Sequence, residues 1–433
     1  MVPDDDAGHV ARPDDARAAK GRSRHVCRRG TFDPRHFHSL QAAQDGYHRY
    51  PVAVTHVILG MPAVRRAGVG PARPTSASTG PVDVGRPDDP RLLDRFGRVA
   101  TDLRVSLTDR CSLRCAYCMP PEGLDWLPDD RILSDDEIIR LITVAVRDLG
   151  VEEVRFTGGE PLLRRGLEKI LAATTALRTT SGRAPQTALT TNGLGLDRRA
   201  PGLAAAGLHR INVSLDSLDR ARFARITHRD RWDDVVAGMA AAAAAGLTPV
   251  KVNTVLIRGV NDDEAVPLVR WAAERGYQPR FIEQMPLDPQ GAWDRDNMIT
   301  AAEILACLQA ELTLTPTHPA TRGAAPAETW LVTAGAGPLV TPDGRPGSVG
   351  IVASVTRPFC GDCDRTRLTA DGQIRSCLFA RTETDLRSLL RAGAGDGEIA
   401  DAWRGTMWAK QAGHGIDDTS FLQPDRPMSA IGG

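Results

Sequence analysis

From Leu92 onward the chain alternates between two hydrophobic patterns. Short apolar runs, "LRVSL", "EEVRFT", "TALTT", "INVSL", "VKVNTVL" and "RFIEQM", have the length of strands, and between them apolar residues recur at three- and four-residue spacing. In "SDDEIIRLITVAVRDLG", Ser134 and Glu137 have the spacing of a capping box. Ile138, Leu141, Ile142, Ala145 and Leu149 then share one helical face before Gly150 ends it. The same grammar repeats at Gly207, Gly246 and Gly276, each closing a helical period ahead of a strand. Six strands separated by helices predict an α/β fold with a parallel sheet and right-handed crossovers. An incomplete (β/α)6 TIM-like barrel suits this spacing, with an open doubly wound sheet as the rival.

In such folds chemistry gathers where strands end. The residues after these strands are polar: "TDRC", "TGGEP", "TNG", "SLDS", "NTV" and "EQMP". Flanking regions look different. Residues 1–90 are rich in Arg, Asp, Pro, Gly and Ala without an apolar period, and are expected to be disordered or to follow a misplaced start, Met61 lying within them. Residues 91–309 are assigned to the partial barrel and 310–433 to a C-terminal region. Within the latter, 310–347 looks like a variable loop or weak hairpins, followed by the strand-like "VGIVASV".

Composition narrows the function classes. Of 433 residues, 42% are hydrophobic and 25% charged, enough for a sizeable core. Lys plus Arg and Asp plus Glu balance at 54 each, so nothing favours wrapping nucleic acid or lying on an acidic membrane. The longest apolar candidate, "MAAAAAAGL", is far short of the ~20 residues of a membrane span, and the acidic start does not resemble a signal peptide, so a cytoplasmic location is expected.

Six of eight cysteines form two groups: Cys111, Cys115 and Cys118 in C-x3-C-x2-C, and Cys360 and Cys363 in C-x2-C with Cys377 beyond. Cys27 and Cys307 lie outside both groups in the sequence. Asp371-Gly372 is a hairpin signal; a two-residue turn there sets Cys377 opposite Thr366, roughly 10 Å along the ladder from Cys363. Zinc normally closes its shell with four ligands. A four-iron cluster held by three thiolates keeps one iron open to something that is not protein.

C-x3-C-x2-C with an aromatic before its last Cys, followed by "GGEP", resembles the radical S-adenosylmethionine (SAM) superfamily. More narrowly, "DLRVSLTDRCSLRCAYCMP", "VRFTGGEPLLRR", "LTTNG", "INVSLDSLD", "VKVNTVLIRGVND", "FCGDCDRTRLTADGQIRSCLF" and the terminal "GG" resemble the GTP 3′,8-cyclase family, molybdenum cofactor biosynthesis protein A, over about Leu92 to Gly433. Positions 1–90 have no counterpart in that resemblance. It implies two [4Fe-4S] clusters, one on Cys111, Cys115 and Cys118 that chelates SAM and yields a 5′-deoxyadenosyl radical, and one on Cys360, Cys363 and Cys377 that binds the guanine edge. It assigns SAM contacts to Tyr117, Gly159, Ser214 and Met285, with Glu160 near the SAM ammonium. It assigns GTP contacts to Arg104, Arg155, Thr190, Lys251, Arg365, Thr366 and Arg367. Without it, Arg104, Arg155 and Lys251 read equally as internal salt bridges, and Arg365 and Arg367 as one solvated strand face.

The implied reaction abstracts the 3′ ribose hydrogen and joins that carbon to C8, giving (8S)-3′,8-cyclo-7,8-dihydroguanosine 5′-triphosphate, a lyase-type activity at the start of molybdenum cofactor biosynthesis. Gly432 and Gly433 form a slender catalytic tail in that family. The resemblance further implies a flavodoxin- or ferredoxin-type electron donor, a homodimer, and handover to the cyclic pyranopterin monophosphate synthase. Ser112 stands where Asn is usual, and His228 where Gly is usual. Rivals are a radical SAM peptide maturase, set apart by "RTR" and the Gly-Gly end, and a zinc-dependent nucleic-acid binder. Zero net charge and only four Tyr and nine Phe weigh against the latter.

Overall fold

The computed structural model describes residues 85–432, apart from 319–321 and 336. Cys27, Gly433 and nearly all of the 1–90 segment lie outside the described residues. The six expected strands are present: β1 (Asp102–Ser106), β2 (Glu153–Thr157), β3 (Gln186–Thr191), β4 (Arg210–Ser214), β5 (Val250–Val255) and β6 (Gln278–Ile282). Each pairs in parallel with the next, in chain order. A doubly wound sheet reverses its strand order at a switch point. This run never reverses, so the consecutive (β/α) reading prevails over its rival.

Helices α1 (Asp135–Asp148), α2 (Leu167–Ala176), α3 (Leu196–Ala205), α4 (Arg220–Thr227), α5 (Trp232–Ala244) and α6 (Ala265–Glu274) connect these strands. The capping box of α1 forms as read: Glu137 N–H donates to Ser134 Oγ at 3.2 Å, and Ser134 N–H to Glu137 Oε2 at 2.7 Å. Its five apolar positions are fully buried. Strand alternation then divides the sheet into two faces. Val250, Val252 and Thr254 on β5 are buried, as are Leu103, Val105, Val154, Phe156, Ile211 and Val213, most of them in one core with the helices. The opposite face carries Arg104, Arg155, Asn212, Lys251 and Arg280.

After α7 (Ala301–Gln309) the weak hairpins resolve into β7 (Thr313–Pro316), β8 (Glu328–Ala334) and β9 (Gly337–Pro338), with β10 (Ser348–Val352) after them. β8 pairs antiparallel with β7, β9 and β10, and β10 lies parallel to β6. Trp330 and Val332 bury alternate positions of β8 in a second core that includes Cys307. At the other edge, β11 (Arg365–Leu368) lies parallel to β1, followed by β12 (Gln373–Arg375) and β13 (Thr384–Asp385). The C-terminal region thus extends both edges of the six-stranded run.

The β11–β12 hairpin departs from expectation by one residue. Arg367 pairs with Arg375 and Leu368 with Ile374, because Gly372 at φ +78° ends a three-residue turn rather than a two-residue one. A shift of one residue changes the face of every side chain beyond it. In the observed register the ladder ends at Arg375, opposite Arg367, so Cys377 does not pair opposite Thr366.

His228, the C-cap of α4, has φ +53° and is the one non-glycine with positive φ among the described residues. It is exposed, so its side chain contributes little to compensate the left-handed strain. His228→Gly should therefore stabilise the fold by about 1 kcal/mol, read as a raised urea midpoint at unchanged slope. A lowered midpoint would show that the imidazole contributes more than its backbone strain removes.

Candidate active site with two thiol triplets

The first triplet lies in the loop that follows β1. Ala116 and Arg114 donate their amides to the carbonyls of Ile226 and Thr227 at the end of α4, and Cys118 N–H turns back onto Cys115 O at 2.8 Å. Asn192, after β3, donates to Cys111 Sγ at 3.6 Å and to Ser112 Oγ at 3.0 Å, so the Ser at 112 has a partner. Burial raises all three thiols, Cys111 to about 11 and Cys118 to about 12; Cys111 raises the other two further, and Cys118 also raises Cys115. Glu160 adds to this at Cys111, and Asp216 at Cys115.

The double glycine after β2 accommodates this loop. A Cβ at Gly158 would collide with the Thr108 carbonyl, and one at Gly159 with the carbonyls of Asp109 and Arg110. Gly159 N–H donates to Thr108 O at 2.7 Å, and Glu160 N–H to Arg110 O at 2.8 Å. The close approach is therefore to the cysteine loop's own backbone. Glu160 is fully buried and accepts from Leu162 N–H, the Thr191 hydroxyl and Asn192 N–H, while burial pushes its carboxyl up to about 7. Tyr117 donates its hydroxyl to Asp216 Oδ2 at 2.8 Å. Burial lifts Asp216 to about 6. Ser214 ends β4, and Met285, after β6, packs with Leu287, Phe379 and Ile431.

Cys360 and Cys363 flank one helical turn ahead of β11. Burial raises Cys360, and Cys377 and Cys363 raise it further, so all three sulfurs of this triplet lie close together. Cys363 differs: burial opposes its ionisation, but the charges of Lys410 and Arg365 bring it below the usual thiol range. Among the described residues no three His, Cys, Asp or Glu side chains form a site for a single metal ion. The fit to a larger group rests on the donors themselves. Each triplet offers three soft ligands, and thiols ionise on taking up a cationic iron group.

Between the strands' ends lies a cationic face. Arg367, Arg104 and Arg155 are register neighbours across β11, β1 and β2, and Arg210 lies two strands further on the same line. Lys251 pairs with Asn212, which pairs with Thr190 and donates to its hydroxyl at 3.0 Å. Arg280 donates twice to Asn253 Oδ1, at 3.0 and 2.7 Å. Thr366 is fully buried and accepts from Trp403. With Arg365, seven cations face three partner carboxylates, Asp102, Glu153 and Asp364, an excess of four.

Burial, then repulsion from neighbouring cations, lowers Arg155 to about 10, Arg280 and Arg367 to about 9, and Lys251 to about 8. The Nε atoms of Arg104, Arg155, Arg210 and Arg365 are buried without a hydrogen-bond partner. Native proteins rarely leave such donors orphaned. Sequence reasoning found five of these cations and missed Arg210 and Arg280, although the same signal, a charge within or beside a predicted strand, marks both. It also missed Asp216 and Lys410.

The C-terminal helix α10 (Met428–Ile431) follows α8 (Leu386–Arg391) and α9 (Asp396–Trp408) and reaches this face. Arg367 donates to the Gly432 carbonyl, and a Cβ at Gly432 would collide with the Thr157 hydroxyl and crowd Ser106.

Residues 105–272 match the Radical SAM superfamily and 277–416 the Molybdenum Cofactor Synthesis C family. The crystal structure of Streptococcus suis SuiB superposes with a TM-score of 0.50 at 14% identity, covering 72% of this chain and 67% of that one, a likeness of fold. A GTP 3′,8-cyclase of Mycolicibacterium smegmatis is 58% identical over 382 residues, 88% of this chain and all of the relative. That alignment leaves about 50 of the 433 residues unmatched, so part of the segment before Leu92 does have a counterpart. The GTP 3′,8-cyclase of Streptomyces coelicolor is 60% identical over 342 residues, 79% of this chain and 96% of the relative. That of Corynebacterium glutamicum is 59% identical over 342 residues, 79% and 89%. With such identity over nearly the whole of these relatives, the chain belongs to the GTP 3′,8-cyclase family of the radical SAM superfamily.

Proposed function

We propose that the chain converts GTP to (8S)-3′,8-cyclo-7,8-dihydroguanosine 5′-triphosphate, the first step of molybdenum cofactor biosynthesis, as a lyase-type radical SAM enzyme. The observation that carries this reading is the buried face with four excess positive charges and four orphaned guanidinium donors. A triphosphate brings a similar number of negative charges and many acceptor oxygens. Charge-assisted hydrogen bonds from guanidinium forks are the interactions that recognise it.

In this reading Arg104, Arg155, Lys251, Arg365 and Arg367 hold the triphosphate with Thr190 beside them, and Arg210 and Arg280 join them; Thr366, whose hydroxyl accepts from Trp403 on the opposite face of β11, would meet the ligand through its main chain. Cys111, Cys115 and Cys118 hold one [4Fe-4S] cluster, and Cys360, Cys363 and Cys377 the other. When bound, these clusters supply with SAM the one-electron chemistry of the reaction. Tyr117, Gly159, Ser214 and Met285 surround SAM, with Glu160 near its ammonium. Gly432, with Gly433 beyond the described residues, closes over the reacting ribose and keeps water out. Residues 91–309 serve as the radical SAM partial barrel and 310–433 as the auxiliary-cluster region, with 1–90 ahead of both.

The same reading makes the enzyme a cytoplasmic homodimer. A flavodoxin- or ferredoxin-type donor supplies electrons, and the product passes to the cyclic pyranopterin monophosphate synthase. No helix among the described residues is long and apolar enough to cross a membrane.

Anaerobically reconstituted protein should carry about eight irons, and about four after replacing Cys111, Cys115 and Cys118 with Ala. Product from GTP and SAM should then vanish while GTP still binds; zinc in place of iron would sink the reading. Because Lys251 titrates near 8, it is charged below that pH and neutral above it. GTP affinity should accordingly weaken from pH 7 to pH 8 in wild type, below the range in which Arg280 and Arg367 lose charge, and less in Lys251→Arg, measured by calorimetry. Equal pH slopes would remove Lys251 from the site. Gly432→Ala should keep both clusters' iron and lower turnover at least about tenfold, since the added methyl collides with Thr157; undiminished product formation would show that the tail is not part of the site.

A further inference from the structure

Lys410 is 3% exposed, two residues past the end of α9. Its Nζ lies 3.3 Å from Cys363 Sγ, 3.1 Å from Cys363 O and 3.0 Å from Arg365 O. An ammonium has three protons, and these acceptors use all of them. Two of the three are neutral carbonyls. No carboxylate pairs with Lys410 among the described residues, and a buried charge without a counter-ion is strongly unfavourable. The sulfur of Cys363 is the group that can supply the negative charge.

The placement is fixed from both sides. Trp403 on α9 donates to Thr366 Oγ1 on β11 at 2.9 Å. The Arg98 guanidinium donates to Cys360 O at 2.5 Å, Gln411 O at 2.6 Å and Ala412 O at 2.8 Å, and its Nε pairs with Asp94 at 2.5 Å. One side chain thus ties the cysteine loop to the segment that carries Lys410. The lysine meets its sulfur through a rigid frame rather than as a wandering surface chain.

We propose that Lys410 is a positioning residue that raises the reduction potential of the iron-sulfur group held by Cys360, Cys363 and Cys377, through its charge and its N–H···S hydrogen bond to Cys363. The inference rests on the two-cluster reading above. Adding an electron makes such a group more negative, and a fixed positive charge at its sulfur stabilises that state. Lys410→Met should make the group harder to reduce, lowering the reduced-to-oxidised ratio at a given solution potential about tenfold, a shift of about 59 mV for one electron.

The test uses full-length protein in which Cys111, Cys115 and Cys118 are Ala, so that only the second group is present. Wild-type Lys410, K410M, K410Q and K410R are reconstituted, assayed for iron and titrated with dithionite while the reduced signal is followed by electron paramagnetic resonance. The proposal expects about four irons throughout, the tenfold shift in K410M and K410Q, and a K410R midpoint near wild type. An unmoved midpoint in the neutral variants, or K410R shifted as far as K410M, would overturn it. If the neutral variants lose iron, Lys410 serves to hold the group rather than to set its potential, and the proposal falls. Absence of iron from the parent protein overturns the two-cluster reading and this inference with it, whereas iron with an unmoved potential overturns this inference alone.

Discussion

Arg104, Arg155, Arg210, Arg280, Arg365, Arg367 and Lys251 repel one another, and burial removes the water that would screen them. Two unit charges about 10 Å apart at an effective dielectric constant of about 20 repel by roughly 1.7 kcal/mol. Seven such groups exert a force that flexible loops would relieve by swinging outward. They stay because strand backbones carry them, and those strands are fixed by the apolar core on their other face, from Leu103 and Val105 to Val250 and Val252. Parallel pairing in chain order then sets the spacing of the cations. The helical layer, remote from the chemistry, is what makes an anion site possible on the inner face.

The C-terminal segment depends on the same face. Arg426 grips Asp371 at 3.0 and 2.9 Å and Glu383 at 2.7 Å, anchoring the tail on the turn between β11 and β12. Beyond that anchor, Ser429 N–H bonds the Cys118 thiol and Gly432 O accepts from Arg367. Arg367 in turn feels Cys377 and Cys363. Four residues of tail, Ser429 to Gly432, therefore connect the two thiol triplets through the cationic face, and a disturbance at one triplet has a short covalent and hydrogen-bonded path to the other.

Much of this was legible before any coordinates. The six strands, the capping box at Ser134 and the polar strand ends follow from period and turn chemistry, which are local. Arg104 and Arg155 could be located but not interpreted, because whether a buried Arg has a carboxylate partner depends on strand register. The hairpin register was misjudged because Asp371-Gly372 serves a three-residue turn as well as a two-residue one. Lys410 was invisible for a different reason: it lies 47 residues from Cys363 in the chain and meets it only because α9 docks on β11. Its neighbours in sequence give no sign of a sulfur.

The two triplets lie in opposite electrostatic surroundings. Glu160 and Asp216 face the first and raise its thiols beyond what burial does, so negative charge there is disfavoured. Lys410 and Arg365 face the second and pull Cys363 the other way. An iron-sulfur group held by the first triplet would by this measure take up an electron less readily than one held by the second. Cleaving a sulfonium requires a strong reductant, which suits a group among carboxylates; accepting an electron, or binding an electron-rich purine edge, suits one beside fixed cations. The asymmetry comes from residues outside both cysteine motifs, which is why two sets of three thiols, nearly equivalent as ligands, need not be equivalent in what they do.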